Sequence, residues 1–389
     1  MSQPIYLDYA AATPLDERVF AAMQPYMSDH FYNPSAAYAP ARRVRADFED
    51  AKHRIAMSIG ARTTDIIMTA GATESINLAI QGVMNDGDHM VIGATEHASV
   101  ASVAASYDYS VALASDKGII TPDAVRLAIN DRSLLVSVTA ADSEIGTIQS
   151  LKHIADMLEE IRQDRKLRGI TQPLYFHTDA SQVVGVIDLQ VSRLGVDMMT
   201  LNAGKCYGPK QVGILYVSSH VTLRPIVRGG GQEMGIRSGT ENVAGAIGFA
   251  MALEMAIKKR HSESKRLTVL RDHLQSALVS EIPQIVVNSH QKKRLPGILS
   301  LSYDGLDAER VVFHLDLAGV YCSTGAACAA NKAQRSTVLA ATGMSDSLVD
   351  GSLRFSLGRQ TTKQQIDRAI PLIIEAIRTE AQLRGTSLS

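Results

Sequence analysis

Four short segments of the chain combine residue types that could do chemistry. In Asn202-Ala203-Gly204-Lys205-Cys206-Tyr207-Gly208-Pro209-Lys210, a lysine follows directly on the apolar run Asp197–Leu201. Desolvation at the end of a buried strand favours the neutral amine of a lysine, a usable nucleophile toward an aldehyde. Twenty-six residues earlier, Phe176-His177-Thr178-Asp179-Ala180-Ser181-Gln182 puts an acid at the end of another apolar run. A carboxylate there is costly unless paired, and a protonated ring nitrogen is one good partner. Taken alone, Asp179 reads equally well as a helix N-cap.

Further upstream, Thr69-Ala70-Gly71-Ala72-Thr73-Glu74-Ser75 runs from a strand pattern into a helical one. Small residues such as Ala72 let the backbone approach a ligand, the helix start offers free N–H groups, and Thr73 adds a hydroxyl: the makings of a phosphate cradle. By itself this segment reads as a capped helix start. A cradle, a carboxylate for a pyridine nitrogen and a Schiff-base lysine, in that order, are the working parts of a pyridoxal-phosphate site. The fourth segment is Cys322-Ser323-Thr324-Gly325-Ala326-Ala327-Cys328-Ala329-Ala330-Asn331. The small residues around Cys328 predict an accessible loop, and beside such a site an accessible cysteine reads as a nucleophile. Cys206 and Cys322 read as packing residues.

The elements that must position these groups follow from hydropathy. β-branched apolar runs recur at Ile66–Ala70, Met90–Ala94, Tyr109–Ala114, Leu134–Ala140, Leu174–Thr178, Asp197–Leu201 and Gly213–Val217. Helical patterns such as Glu74–Met84, Pro122–Ile129 and Ile154–Leu167 lie between most of them. This alternation predicts an α/β fold with a mostly parallel sheet covered by helices, with ligands beyond the carboxyl ends of its strands. After about Glu241 a long helical stretch, Val243–Glu281, leads to fewer strands (Ile298–Tyr303, Val320–Cys322, Ser352–Ser356) and a closing helix, Lys363–Arg384. The expected division is a large domain over residues 16–258 and a smaller α/β domain formed by residues 1–15 and 259–389.

Bulk properties exclude several classes. Net charge is −1, so direct nucleic-acid binding is not expected. The basic run Lys258-Lys259-Arg260 falls in a helical pattern and reads as a solvated face. Three cysteines fit neither a zinc site nor a disulfide framework, which predicts no metal and a reducing compartment. Asp8 and Asp16 interrupt any signal-peptide pattern, and Glu254 breaks the most apolar helix. A cytoplasmic protein off the membrane is expected.

Together these residues resemble the class V aminotransferase-like enzymes of fold type I, and within them the cysteine desulfurases of NifS/IscS type. The resemblance begins at Ile5-Tyr6-Leu7-Asp8-Tyr9-Ala10-Ala11-Ala12-Thr13-Pro14. It passes through Asn33-Pro34-Ser35, Thr95-Glu96-His97, Glu144-Ile145-Gly146 and Gly229-Gly230-Gly231-Gln232-Glu233. It ends at Arg237-Ser238-Gly239-Thr240, Ala326-Ala327-Cys328 and Arg354-Phe355-Ser356-Leu357-Gly358-Arg359. It implies pyridoxal 5'-phosphate bound to Lys205, with Asp179 on the ring nitrogen, Gln182 on the ring hydroxyl and His97 stacked on the ring as a catalytic residue that relays protons. Ala72 and Thr73 would bind phosphate, and Thr240 would reach the phosphate of the other subunit of a homodimer. Arg354 would clamp the substrate carboxylate, with Asn33 and Ser143 in the same pocket. L-cysteine would become L-alanine, with its sulfur left as a persulfide on Cys328 for an acceptor protein.

The sequence also departs from the family pattern. Gly204 and Asn202 stand where the family has a histidine and a serine that serve the cofactor phosphate, which implies weaker phosphate retention unless Asn202 supplies a donor. Asp142-Ser143 replaces two asparagines. The resemblance implies an iron–sulfur scaffold as acceptor; no scaffold-docking tail is recognisable after Arg384, which points instead to a tRNA-thiolation enzyme or another sulfur carrier. A selenocysteine lyase or aminotransferase of the same fold, or a non-catalytic sulfur-transfer scaffold, is the alternative.

Overall fold

The computed structural model describes residues 3–325 and 335–385; Cys328 lies outside the described residues. Thirteen strands are seen among them: β1 (Ile5–Tyr6), β2 (Ile66–Thr69), β3 (His89–Gly93), β4 (Asp108–Ala112), β5 (Ser133–Ser137), β6 (Tyr175–Asp179), β7 (Met198–Asn202), β8 (Gly213–Val217), β9 (Val286–Val287), β10 (Ile298–Ser302), β11 (Val320–Tyr321), β12 (Ser323–Thr324) and β13 (Ser352–Ser356). Seven form one sheet in the order β2-β8-β7-β6-β5-β3-β4. Only β8 runs antiparallel to its neighbours. The carboxyl ends of the other six therefore share one edge.

The reason lies in the residues. β3, β5 and β8 are buried along their whole length, the signature of a sheet covered on both faces. One face packs against the helices Ala39–Ile59 and Leu151–Leu167, through Phe48, Ile55 and Leu158. The other packs under Ala72–Val83 and Ala98–Ala104, through Ile76, Ile80 and Val100. Ala39–Ile59 buries Ala41, Val44, Phe48, Ala51 and Ile55, at helical spacing.

The helix Val243–Glu281 joins the two parts. Its first turns bury nearly every residue from Val243 to Phe249, as a core helix must; its later turns bury Leu270, Leu274 and Leu278 at four-residue spacing. The first stretch belongs to the core of the large sheet, the second to a separate core around the antiparallel sheet β12-β13-β10-β9. Helices Ala308–Leu317 and Lys363–Arg384 close that second core. The N-terminal strand β1 crosses over to pair in parallel with β11. The short strands β1, β9 and β12 carry too few residues to show a period, so only pairing reveals them. β12 also corrects the expected loop: Ser323 and Thr324 pair with Arg354 and Leu353 before the cysteine is reached.

Across the middle of the sheet, the buried ring of His177 meets the Ser137 hydroxyl at 2.9 Å and the Thr200 hydroxyl at 3.0 Å. This cross-strand chain ties β5, β6 and β7 together. Burial pushes the His177 pKa down to about 3. The unfolded chain takes up this proton below about 6.5 and the folded one does not, so the contribution is complete above 6.5 and is lost as pH falls toward 3. His177→Gln is expected to cost ~1–3 kcal/mol at pH 8. Its melting temperature should then fall less steeply than that of the parent between pH 6.5 and 4; parallel thermal-melt curves would refute this.

Candidate active site

At the shared edge, the residue runs that follow β2, β3, β5, β6 and β7 enclose a cleft of about 280 Å³. It is lined by Thr73, His97, Ser143, Asp179, Gln182, Asn202, Lys205 and Arg354, among others. Residues 73 to 205 converge because parallel strands end together, and Ala10, Ala11 and Arg354 reach the same cleft from the N-terminal segment and from β13.

Lys205 sits half-buried on the turn Ala203–Lys205 that follows β7. Its Nζ donates to the carbonyl of Ala10 at 2.7 Å and of Ala11 at 2.9 Å. Those carbonyls belong to the N-terminal segment, which is stitched to the same turn further on. Thr13 Oγ1 donates to Gly204 O at 3.0 Å and accepts from Tyr207 N at 2.9 Å. Gln182 Nε2 donates to Ala10 O at 3.1 Å. Asp179 ends β6, and its Oδ1 accepts from Ser181 N at 2.9 Å, so its second oxygen is the one that a ring N–H would meet.

The helix Ala72–Val83 begins two residues earlier than its apolar period suggested, because Gly71 adopts φ +119° and turns the chain directly into it. The N–H groups of Ala72 and Thr73 therefore lie in the first turn, without intrahelical acceptors. Gly213 of β8 packs behind this turn: a Cβ there would lie 2.8 Å from Gly71 Cα. His97 caps the next helix, its Nδ1 accepting from Ser99 N at 3.1 Å, which leaves Nε2 as the protonated nitrogen of the neutral ring.

Three buried polar atoms on residues of the cleft wall have no hydrogen-bond partner among the described residues: Thr95 Oγ1, Ser181 Oγ and Arg354 Nε. Buried polar atoms are rarely left unpaired, so these mark places for the atoms of a ligand. The Lys205 amine, the Arg354 guanidinium and a helix start supply donors, and the acid at β6 an acceptor, a set that suits an anionic pyridine aldehyde. Thr95 and Ser181 lie inside motifs quoted above, but their types alone gave no reason to choose them.

Two expected residues fall elsewhere. Asn33 is exposed, outside the cleft wall of its own chain, and caps a turn by accepting from Ser35 N at 2.9 Å. Thr240 is also exposed and outside it. The substituted positions gain a physical account. Asp142 is buried, and its Oδ1 accepts from Glu144 N at 2.9 Å and Ile145 N at 2.6 Å. Burial raises its pKa despite these bonds and the nearby Arg354 charge. Asp142 thus folds the 142–147 turn as well as lining the site. Asn202 Oδ1 accepts from Gly204 N at 3.0 Å, so only its amide NH2 remains as a donor. Gly204 has ordinary backbone angles, and a Cβ there would meet nothing closer than 3.4 Å.

Glu96 lies buried behind His97. Its Oε1 accepts from Thr139 N at 2.5 Å, while Oε2 has no hydrogen-bond partner among the described residues. Burial, aided by the charges of Asp179 and Asp142, holds its pKa well above the usual carboxyl range. No group of three or more metal-ligating side chains occurs among the described residues, and no helix there is long and apolar enough to cross a membrane.

Two tests follow. The space at Gly204 predicts that Gly204→His folds and lowers the cofactor dissociation constant, measured by titrating apoprotein; an unchanged constant would contradict the reading of the phosphate side. For Glu96, the unfolded chain ionises first as pH rises above 4.5, so the native state loses stability from there upward. Glu96→Gln should therefore gain in melting temperature over the parent between pH 5 and 8. A difference that does not change with pH would show that Glu96 is already ionised in the fold.

Comparison with known proteins agrees with this geometry. The aminotransferase class-V family matches residues 5–369. Cysteine desulfurase IscS of Dictyoglomus turgidum is 37% identical over 391 residues, covering 97% of this chain and 96% of the relative. Cysteine desulfurase IscS 1 of Archaeoglobus fulgidus is 36% identical, covering 97% and 99%. Among solved structures, a NifS-like protein superposes with a TM-score of 0.88 at 27% identity, covering 97% of this chain and all of that one. SspA in complex with cysteine gives 0.78 at 29%, covering 91% and 98%. The chain belongs to the pyridoxal-phosphate-dependent aminotransferase class-V family and, within it, to the cysteine desulfurases of IscS/NifS type.

Proposed function

We propose that this cleft converts L-cysteine to L-alanine and leaves the sulfur as a persulfide on Cys328. The observation that carries the reading is the convergence of Lys205, Asp179, the Ala72–Thr73 helix start and Arg354 on one cleft with orphaned buried donors. Pyridoxal phosphate, when bound, supplies an electron sink in conjugation with the substrate α-carbon. Lys205 would hold it covalently, Asp179 its ring nitrogen and Gln182 its ring hydroxyl. Ala72, Thr73 and Asn202 would hold its phosphate, and His97 would stack on its ring.

Arg354 binds the substrate carboxylate, a group its planar fork matches, with Ser143 beside it. Lys205, with its Nζ held by the carbonyls of Ala10 and Ala11, would be the base that takes the α-proton. The Cys328 thiolate attacks the substrate sulfur: an S–S bond forms, the Cβ–S bond breaks, and its electron pair passes to carbon, which is protonated to give alanine. The persulfide then goes to an acceptor protein, an iron–sulfur scaffold or a tRNA-thiolation enzyme.

The large unit over 16–258 would keep most of the packing on both faces of the large sheet, and the small unit of 1–15 and 259–389 the core around β12-β13-β10-β9. The partner in a homodimer would cover exposed Phe31 and Tyr38, whose rings meet half-buried Tyr32 between them. Thr240 would then meet the other subunit's phosphate and Asn33 its substrate pocket. A cytoplasmic setting fits the free thiols of Cys206 and Cys322.

Cys328→Ser is expected to keep the absorbance band of the bound cofactor and to lose alanine and sulfide release by at least about a hundredfold, as for a missing nucleophile. Alanine release at the parental rate would sink the persulfide route and favour a lyase or aminotransferase reading.

A further inference from the structure

The residue assigned to clamp the substrate carboxylate already holds a carboxylate. Arg354 is 3% exposed in the middle strand β13, and its Nη2 lies 2.7 Å from Asp8 Oδ1. Its Nη1 donates to Ser143 O at 3.1 Å, and Nε is one of the orphaned donors. Asp8 is fixed from both sides. Its backbone bridges to Ser356 in parallel, and Tyr6 Oη donates to its carbonyl at 2.9 Å. A guanidinium has five N–H groups. Asp8 and Ser143 take one each, on different nitrogens, so three remain, including Nε–H, for an arriving ligand.

We propose that Asp8 is a positioning residue for substrate recognition: it aims the Arg354 fork and, by its own charge, limits how tightly the fork holds a substrate carboxylate. The inference rests on Arg354 being the clamp. A buried guanidinium without a counter-ion is costly, and Asp8 supplies that counter-ion before substrate arrives. The substrate carboxylate must then bind the same guanidinium within a few ångströms of Asp8. Like charges at that range in a poorly solvated site repel appreciably. Tight binding is not wanted here. L-alanine carries the same carboxylate as L-cysteine, so whatever deepens substrate binding through Arg354 also retains product. Uniform binding of substrate and product does not raise turnover. The N-terminal segment thus serves both ends of the substrate: Asp8 sets the carboxylate clamp, and two residues on, Ala10 and Ala11 hold the amine of Lys205.

The test uses holoenzyme and three variants. Asp8→Asn keeps an oxygen toward Arg354 and deletes the charge. The KM for L-cysteine and the competitive inhibition constant of L-alanine are expected to fall together, by about three- to tenfold, the factor of a modest charge interaction. kcat should not rise with them, and the apoprotein should melt at a lower temperature because Arg354 is left without its counter-ion. A merely structural role would not tighten both constants. Asp8→Glu keeps the charge and should leave both within about twofold of the parent. Both constants unchanged or raised in Asp8→Asn would overturn the proposal. Should that variant fail to fold, an Asp8→Glu protein with tightened constants would overturn it equally, and one with parental constants would support it. Arg354→Lys separates the two readings. If it leaves the L-alanine constant unchanged, the clamp itself is misassigned; if it weakens L-alanine while Asp8→Asn behaves as the parent, only the role of Asp8 fails.

Discussion

The rest of the site depends on the common direction of β2, β3, β5, β6 and β7, with the one antiparallel strand of that sheet, β8, between β2 and β7. Parallel strands force every connection to travel back across the sheet, which fills both faces with helices and leaves the carboxyl ends free for loops. Residues near 73, 97, 143, 179 and 205 meet because each sits just past such an end. The cleft is a consequence of strand direction before it is a consequence of any one side chain.

The second constraint is the N-terminal segment. It pairs with β11 in the smaller sheet, passes over β13 at Asp8 and Ser356, and ends against the turn carrying Lys205. A dozen residues thereby join the packing of both sheets and meet both Lys205 and Arg354. Small residues make this possible. Ala10 and Ala11 bring backbone carbonyls to within hydrogen-bond distance of Nζ, where larger side chains would fill the space the cofactor needs. Motion of one core against the other would be felt at Lys205 and at Arg354 together.

Buried polarity shows how the site is held open for its ligand. His177 and Asp142 are buried and bonded, and they shape strands and turns. Thr95 Oγ1, Ser181 Oγ and Arg354 Nε are buried, have no hydrogen-bond partner among the described residues, and belong to residues of the same cleft wall. Asp142 illustrates the difference between charge and role. It stands in the cleft wall, yet one carboxylate oxygen is taken up by two backbone N–H groups of its own turn.

Much of this was legible in the residues. The strand–helix alternation, the helix Val243–Glu281, strand β13 and the closing helix follow from hydrophobic period alone. The cradle, the acid, the lysine and the arginine follow from residue type at strand ends. Sequence order could not supply what depends on distance between chain-remote groups. The β1–β11 pairing, the Asp8–Arg354 ion pair, the resting place of Lys205 and the orphaned donors all join residues hundreds of positions apart or strands too short to show a period. Local composition determined which groups exist and on which elements they ride. Tertiary packing alone decided which of them share a desolvated space, because electrostatic and hydrogen-bond energies depend on separation in space and not along the chain.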